Sequence, residues 1–190
     1  VDHAAADARG RLHRVEERLQ PRGARAWAIE ELNAMFRAGR TPDPAPDGML
    51  RGRAVSSTVT PAFDSLSRRM TVLYMPWLGK RFDAHSNEGV NVLAISALRP
   101  MKVFWPSYKP VGIFVDRVEA FSFQTRIAPG QADPDLQVLK IDYDIDANPQ
   151  FIIRRVLDEL VQIDNDLFLG KVLFHLKDTF HPIGFFALEK

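Results

Sequence analysis

The run Leu167 to Leu176 is apolar on both faces of the strand it would form. Alternation puts Leu167, Leu169, Lys171, Leu173 and His175 on one side. Phe168, Gly170, Val172, Phe174 and Leu176 fall on the other. A strand with no polar face has to be covered on both sides, here by a helix on one and a barrel interior on the other. Neighbouring runs support a sheet of that kind. Gly112 to Ile127 and Leu136 to Ile145 read as strands joined by a turn-rich segment, and Asp158 to Ile163 and Ile183 to Glu189 flank the central run. Asn165 marks a tight turn and Asp178 to Pro182 a looser one. An antiparallel meander of roughly six to eight strands is enough to close a small barrel. Such barrels either fill with side chains or hold one small ligand.

The N-terminal part reads differently. Asp2 to Leu19 and Ala24 to Ala38 read as helices, and Gly39 stops the second. Three prolines, two aspartates and a glycine crowd Thr41 to Gly48, which reads as a linker. The expected division is therefore residues 1–47, helices and Pro-rich linker, and 48–190, a mainly β, antiparallel barrel with plugging helices. Met49 to Val59 reads as its first strand. Thr60-Pro61 then opens a helix whose stripe is Phe63, Leu66, Met70, Leu73 and Trp77, ended by Gly79. Core packing explains that stripe. Val90 to Ala97 fits strand or helix, and Asn148-Pro149 opens a short helix through about Leu157.

The 190 residues suffice for one domain with a core, at 46% hydrophobic and 26% charged. A net charge of +1 gives no bulk drive toward nucleic acid or an anionic membrane. Cysteine is absent, which excludes disulfides, thiolate nucleophiles and cysteine metal sites, and fits a cytoplasmic setting. No Gly-x-Ser-x-Gly elbow, phosphate loop or paired-histidine metal motif occurs. Haem held by one histidine would leave no trace, but no attachment signature is present, and no cofactor or metal is expected.

The tripeptide Leu-Gly-Lys occurs twice, at 78–80 and 169–171, each time among aromatic and apolar residues. A lysine so placed either snorkels to solvent or lines an apolar cavity. If the Lys171 face points inward, Lys171 and His175 put a cation and an imidazole in an apolar space, able to hold an anionic oxygen or move a proton. The alternative is that both reach solvent at the rim. Lys80, followed by Arg81, Asp83 and His85, poses the same choice beside a solvated turn. Lys171, His175, Lys80 and His85 are the candidate catalytic residues. Trp77, Trp105, Tyr108, Tyr143 and Phe174 are the candidate ligand contacts in a chain with 13 Phe. Asp142, Asp144 and Asp146 read as a solvated strand face, and Asp158 as an ion-pair partner of Arg154 or Arg155.

Gly48 to Arg53, Trp77 to Phe82, Asp142-Tyr143-Asp144 with Asn148-Pro149, Asp158, Phe168 to Lys171 and Phe185 to Leu188 together resemble bacterial proteins with a GXWXG-type first segment and a DUF4334-type second. The likeness covers about residues 48 to 189. Its first motif reads Leu50-Arg51-Gly52-Arg53, without the tryptophan between glycines. The resemblance implies a lipocalin-like barrel and a small hydrophobic ligand, and carries over no catalytic residues. The expected function is binding of a small hydrophobic molecule in the barrel. The alternative is a cofactor-independent isomerase, cyclase or lyase acting on a polyketide-like, terpenoid or fatty substrate. The N-terminal helices offer a homodimer contact.

Overall fold

The computed structural model describes residues 3–19, 25–57 and 76–190. Helices α1 (His3–Arg18) and α2 (Arg25–Ala38) precede nine strands. These are β1 (Gly48–Ser57), β2 (Trp77–Asp83), β3 (Glu88–Ala94), β4 (Gly112–Ile113), β5 (Arg117–Pro129), β6 (Gln137–Asp142), β7 (Val156–Asp164), β8 (Leu167–Leu176) and β9 (Thr179–Glu189). A third helix, α3 (Leu98–Phe104), follows β3. The strands run antiparallel in the order β3-β2-β1-β9-β8-β7-β6-β5, and β3 pairs with β5 to close an eight-stranded barrel. Closure removes both sheet edges. The two-residue β4 is an outrigger on β5.

Two apolar clusters lie on opposite sides of the barrel wall. Phe168, Val172 and Phe174 from β8 join Phe123, Leu160 and Phe186 inside. Leu167 and Leu169 join Leu12, Leu32 and Phe36 of the two helices outside. The doubly apolar strand is thus covered by helices on one face and the barrel interior on the other. No helix among the described residues is long and apolar enough to cross a membrane.

Several local expectations change. The helix expected from Thr60 lies outside the described residues, except that Trp77, placed at its end, opens β2 instead. Gly79 therefore caps no helix. The helix expected from Asn148 to Leu157 shrinks to a 3-10 turn at Ile153–Arg155, and Val156 already starts β7. Asp144 and Asp146 lie beyond the end of β6, where Arg154 binds both. The last hairpin turns on Lys177 and Asp178, with φ of +48° and +65°. Two left-handed residues match the right-handed twist of the flanking strands, so the turn is shorter than expected. Pro182 sits at a bulge within β9, where its missing N–H is tolerated.

Candidate functional site

The two Leu-Gly-Lys copies differ at both the glycine and the lysine. A Cβ on Gly170 would lie 2.1 Å from the Phe186 ring, and one on Gly52 would lie 2.4 Å from the Trp77 ring. These glycines are the beds on which two aromatic rings rest. Gly79 has φ +144°, and a Cβ there would strike the Leu50 carbonyl at 2.0 Å. In β8 plain alternation turns Gly170 inward and Lys171 outward. In β2 the register shifts between Trp77 and Gly79. That bulge adds one residue, so Trp77 and Lys80 both face inward.

Lys80 is buried and reaches Asp158, Asn91 and Tyr143. Its Nζ lies 2.9 Å from Asp158 Oδ2 and donates to Asn91 Oδ1 at 3.0 Å and to the Tyr143 hydroxyl. Three ammonium protons thus meet three acceptors. Four rings, Trp77, Phe123, Tyr143 and Phe186, stand 5.1 to 5.4 Å from Nζ and add cation–π attraction. Burial pushes the Lys80 pKa below the ordinary lysine value, and the Asp158 charge opposes that shift.

The partners are also matched. Asn91 Oδ1 accepts from Trp77 Nε1 at 3.1 Å, and Asn91 Nδ2 donates to Phe121 O at 3.2 Å and to Tyr143 Oη at 3.1 Å. The Phe121 carbonyl is available because Phe121 is the extra residue of a second bulge, at φ +55°. Its N–H donates to the Tyr108 hydroxyl at 2.6 Å. The Tyr143 hydroxyl donates to Asp158 Oδ2 at 3.1 Å. Asp158 Oδ1 is buried and has no hydrogen-bond partner among the described residues.

Lys80, Asn91, Tyr143 and Asp158 form one side of a cavity, and Trp77, Leu93, Phe121, Ile153, Val156 and Phe186 form the rest of its described lining. The space between lining atoms is about 490 Å³, including the part continuous with solvent. The cavity volume proper is only about 50 Å³, so the cavity is narrow. Ile152, beside the lining Ile153, holds φ +73° and ψ −61°, a conformation β-branched residues rarely adopt.

The candidate residues separate accordingly. Lys80, Trp77 and Tyr143 meet in the cavity. Trp105 and Tyr108 stand one layer behind it, packed on Phe121 with ring centroids 5.4 and 5.2 Å away. Phe174 is part of the interior core and not of the described cavity lining. His85 lies on the exposed turn between β2 and β3, where its backbone N–H donates to Asp83. His175 is exposed and stacks on Phe180. The face that carries Lys171 and His175 points outward, so the two do not form an interior pair. Asn91, Phe121, Asp158 and Phe186 were not among the candidates. Asp158 left a signal, because Asp158-Glu159 is an acidic pair between the apolar pairs Val156-Leu157 and Leu160-Val161 of one strand. Adjacent strand positions face opposite sides, so one carboxylate had to enter the barrel.

Glu159 is the other half of that pair and lies outside, opposite Lys171 in the register. Lys171 binds Asp133 at 2.6 Å under the Phe36 ring, and Gln131 N–H donates to Glu159 Oε1 at 2.6 Å. Burial raises the Glu159 pKa above the ordinary value. The folded state then binds more protons than the unfolded chain between the two values. Stability falls as pH rises through that window. Glu159→Gln is expected to flatten this slope in urea melts taken across mildly acidic pH. An unchanged slope would show that Glu159 does not set it.

No family model matches this chain, and none of the curated proteins matches it. The likeness to GXWXG and DUF4334 proteins therefore stands on its short motifs alone. A solved structure, described as a protein from Thermomonospora curvata, matches with a TM-score of 0.51 at 17% identity. The match covers 97% of this chain and 98% of that one, and it shows the fold.

Proposed function

We propose that this barrel binds a compact, mostly apolar molecule carrying one hydrogen-bond donor, such as an alcohol or phenol. The observation that carries the reading is the Asp158 carboxylate. In a network whose other polar side-chain atoms are partnered, one buried oxygen of a cavity-lining carboxylate has no partner among the described residues. An unmatched buried acceptor costs about 1–3 kcal/mol, which a ligand donor would recover. The narrow cavity favours a compact ligand over a long acyl chain, since about 10–15 Å³ of such space suffices for one water. Apolar walls with a few convergent polar groups are the usual make-up of small-molecule sites.

A second reading, a cofactor-independent isomerase, cyclase or lyase, is favoured by Lys80 itself. A lysine whose burial lowers its pKa, in contact with a phenol and a carboxylate, is suited to proton transfer. In that reading Asp158 accepts the ligand's proton at Oδ1, and the positive charge of the Lys80 ammonium steadies the anion that forms.

Asp158→Asn tests the binding reading. Lys80 and Tyr143 hold the side-chain oxygen on their side, so the substitution replaces Oδ1 with an N–H donor. Titration calorimetry is expected to show wild-type protein preferring a small cyclic alcohol over its ketone. The variant should reverse that preference by about ten- to a hundredfold. Equal affinities in both proteins would refute the assignment.

A further inference from the structure

We propose that the face formed by α3 and the β4–β5 turn docks on an anionic lipid surface. Six of the eleven exposed large apolar side chains among the described residues lie between Val103 and Val115. Val115 is 97% exposed, Val103 75% and Ile113 60%, with Phe104, Phe114 and Val111 beside them in sequence. Single exposed apolar residues are ordinary, but a concentration of this kind marks a contact surface.

The mounting is firm. Phe114 N–H donates to Arg117 O at 2.9 Å and closes the tip of the turn. Ile95 N–H donates to Asp116 O at 3.1 Å, tying that tip to the segment that leads into α3. The inner side of α3 buries Met101, and Trp105 just beyond it donates to the Phe151 carbonyl at 3.1 Å. Trp105 in turn packs edge-on against the cavity-lining Phe121. The patch therefore stands one aromatic layer from the cavity.

Charge selects the partner. Residues 98–117 carry Arg99, Lys102, Lys109 and Arg117 against Asp116 alone. The rest of the chain holds 21 of its 25 basic and 23 of its 24 acidic side chains. The near-neutral total conceals a segment of charge +3 on a remainder of −2. Asp116 pairs with Arg117 at 3.4 Å, and the Arg117 guanidinium lies 4.3 Å from the Phe114 ring centroid. Protruding apolar side chains interleaved with cations suit a bilayer surface, where the former enter the acyl boundary and the latter meet phosphates. A two-fold pairing would set this patch against itself, so like charge disfavours a second copy of the chain. The proposal holds whichever molecule the cavity takes.

Vesicle co-sedimentation decides it, with phosphatidylcholine alone against phosphatidylcholine mixed with phosphatidylglycerol. The expected result is at least about tenfold stronger partition onto the anionic vesicles, weakened by salt. Val115→Asp, at a nearly fully exposed tip, should reduce that partition at least about tenfold with an unchanged melting temperature. Lys102→Glu should reduce it about tenfold on anionic vesicles. Absence of vesicle binding, equal binding to both vesicles, or binding unaffected by Val115→Asp would overturn the proposal. So would a dimer in gel filtration that Val115→Asp dissolves, since the face would then seat a second copy.

Discussion

Lys80→Met is expected to destabilise this barrel by about 3–5 kcal/mol at neutral pH, and adding Asp158→Leu is expected to restore most of the loss. The asymmetry follows from burial. The single substitution leaves a carboxylate inside the barrel with its cation gone, whereas the double one leaves neither charge. Tyr143 and Asn91 then have each other, since the Tyr143 hydroxyl already lies 3.4 Å from Asn91 Oδ1. Urea denaturation of the four proteins of the cycle measures this, with the change read at constant slope. A loss below about 1 kcal/mol for Lys80→Met would mean that water reaches Asp158 freely, contrary to its burial. The double variant also separates fold from function, because a stable barrel without the pair should bind no donor ligand. The pH dependence has a definite sign. Burial lowers the Lys80 pKa, so the unfolded chain binds more protons between the folded and ordinary lysine values. Wild-type stability should rise with pH through that window, and Lys80→Met should lack the rise.

Gly79→Ala is expected to be nearly as damaging, at about 3 kcal/mol or more, and to abolish ligand binding in whatever fraction remains folded. The added methyl has two costs. It forces an L residue to φ +144°, and it meets the Leu50 carbonyl of the adjacent strand at 2.0 Å. Backbone cannot rotate out of the way as a flexible side chain can. Relief requires that β2 part from β1 or that the bulge slip. A slip by one residue would turn Lys80 to the outer face, because side chains alternate. Thermal melts and calorimetric titration of the variant check both effects. Near-native stability with full ligand affinity would show that the bulge does not place Lys80.

The elements whose patterns are local were legible in the sequence. The run Leu167 to Leu176 has no polar side, and the structure covers it twice. The helix over 3–18 follows its Ala-, Arg- and Glu-rich composition, and the helix over 25–38 follows its apolar spacing and the stop at Gly39. What escaped was set by tertiary contacts. Trp77 continues a helical stripe in sequence yet begins a strand. The two bulges, at Leu78-Gly79 and at Phe121, depend on partners elsewhere in the chain. They decide that Lys80 enters the cavity and that Asn91 finds a free carbonyl. The Asn148-Pro149 cap signal lost to the start of β7, and with it Asp158 moved from a helix end to the barrel interior. Lys171 and Lys80 share a tripeptide but not a face, which no spacing rule alone distinguishes.

The claim that the Lys80–Asp158 cavity is a ligand site is tested most directly by native mass spectrometry. Wild-type protein and Leu93→Trp, which fills the cavity from an apolar wall, would each be incubated with a mixed panel of small apolar alcohols, phenols and their ketones. The account predicts a one-to-one adduct with an alcohol or phenol on the wild type and none on Leu93→Trp. An unoccupied wild type, or an adduct retained when the cavity is filled, would contradict it.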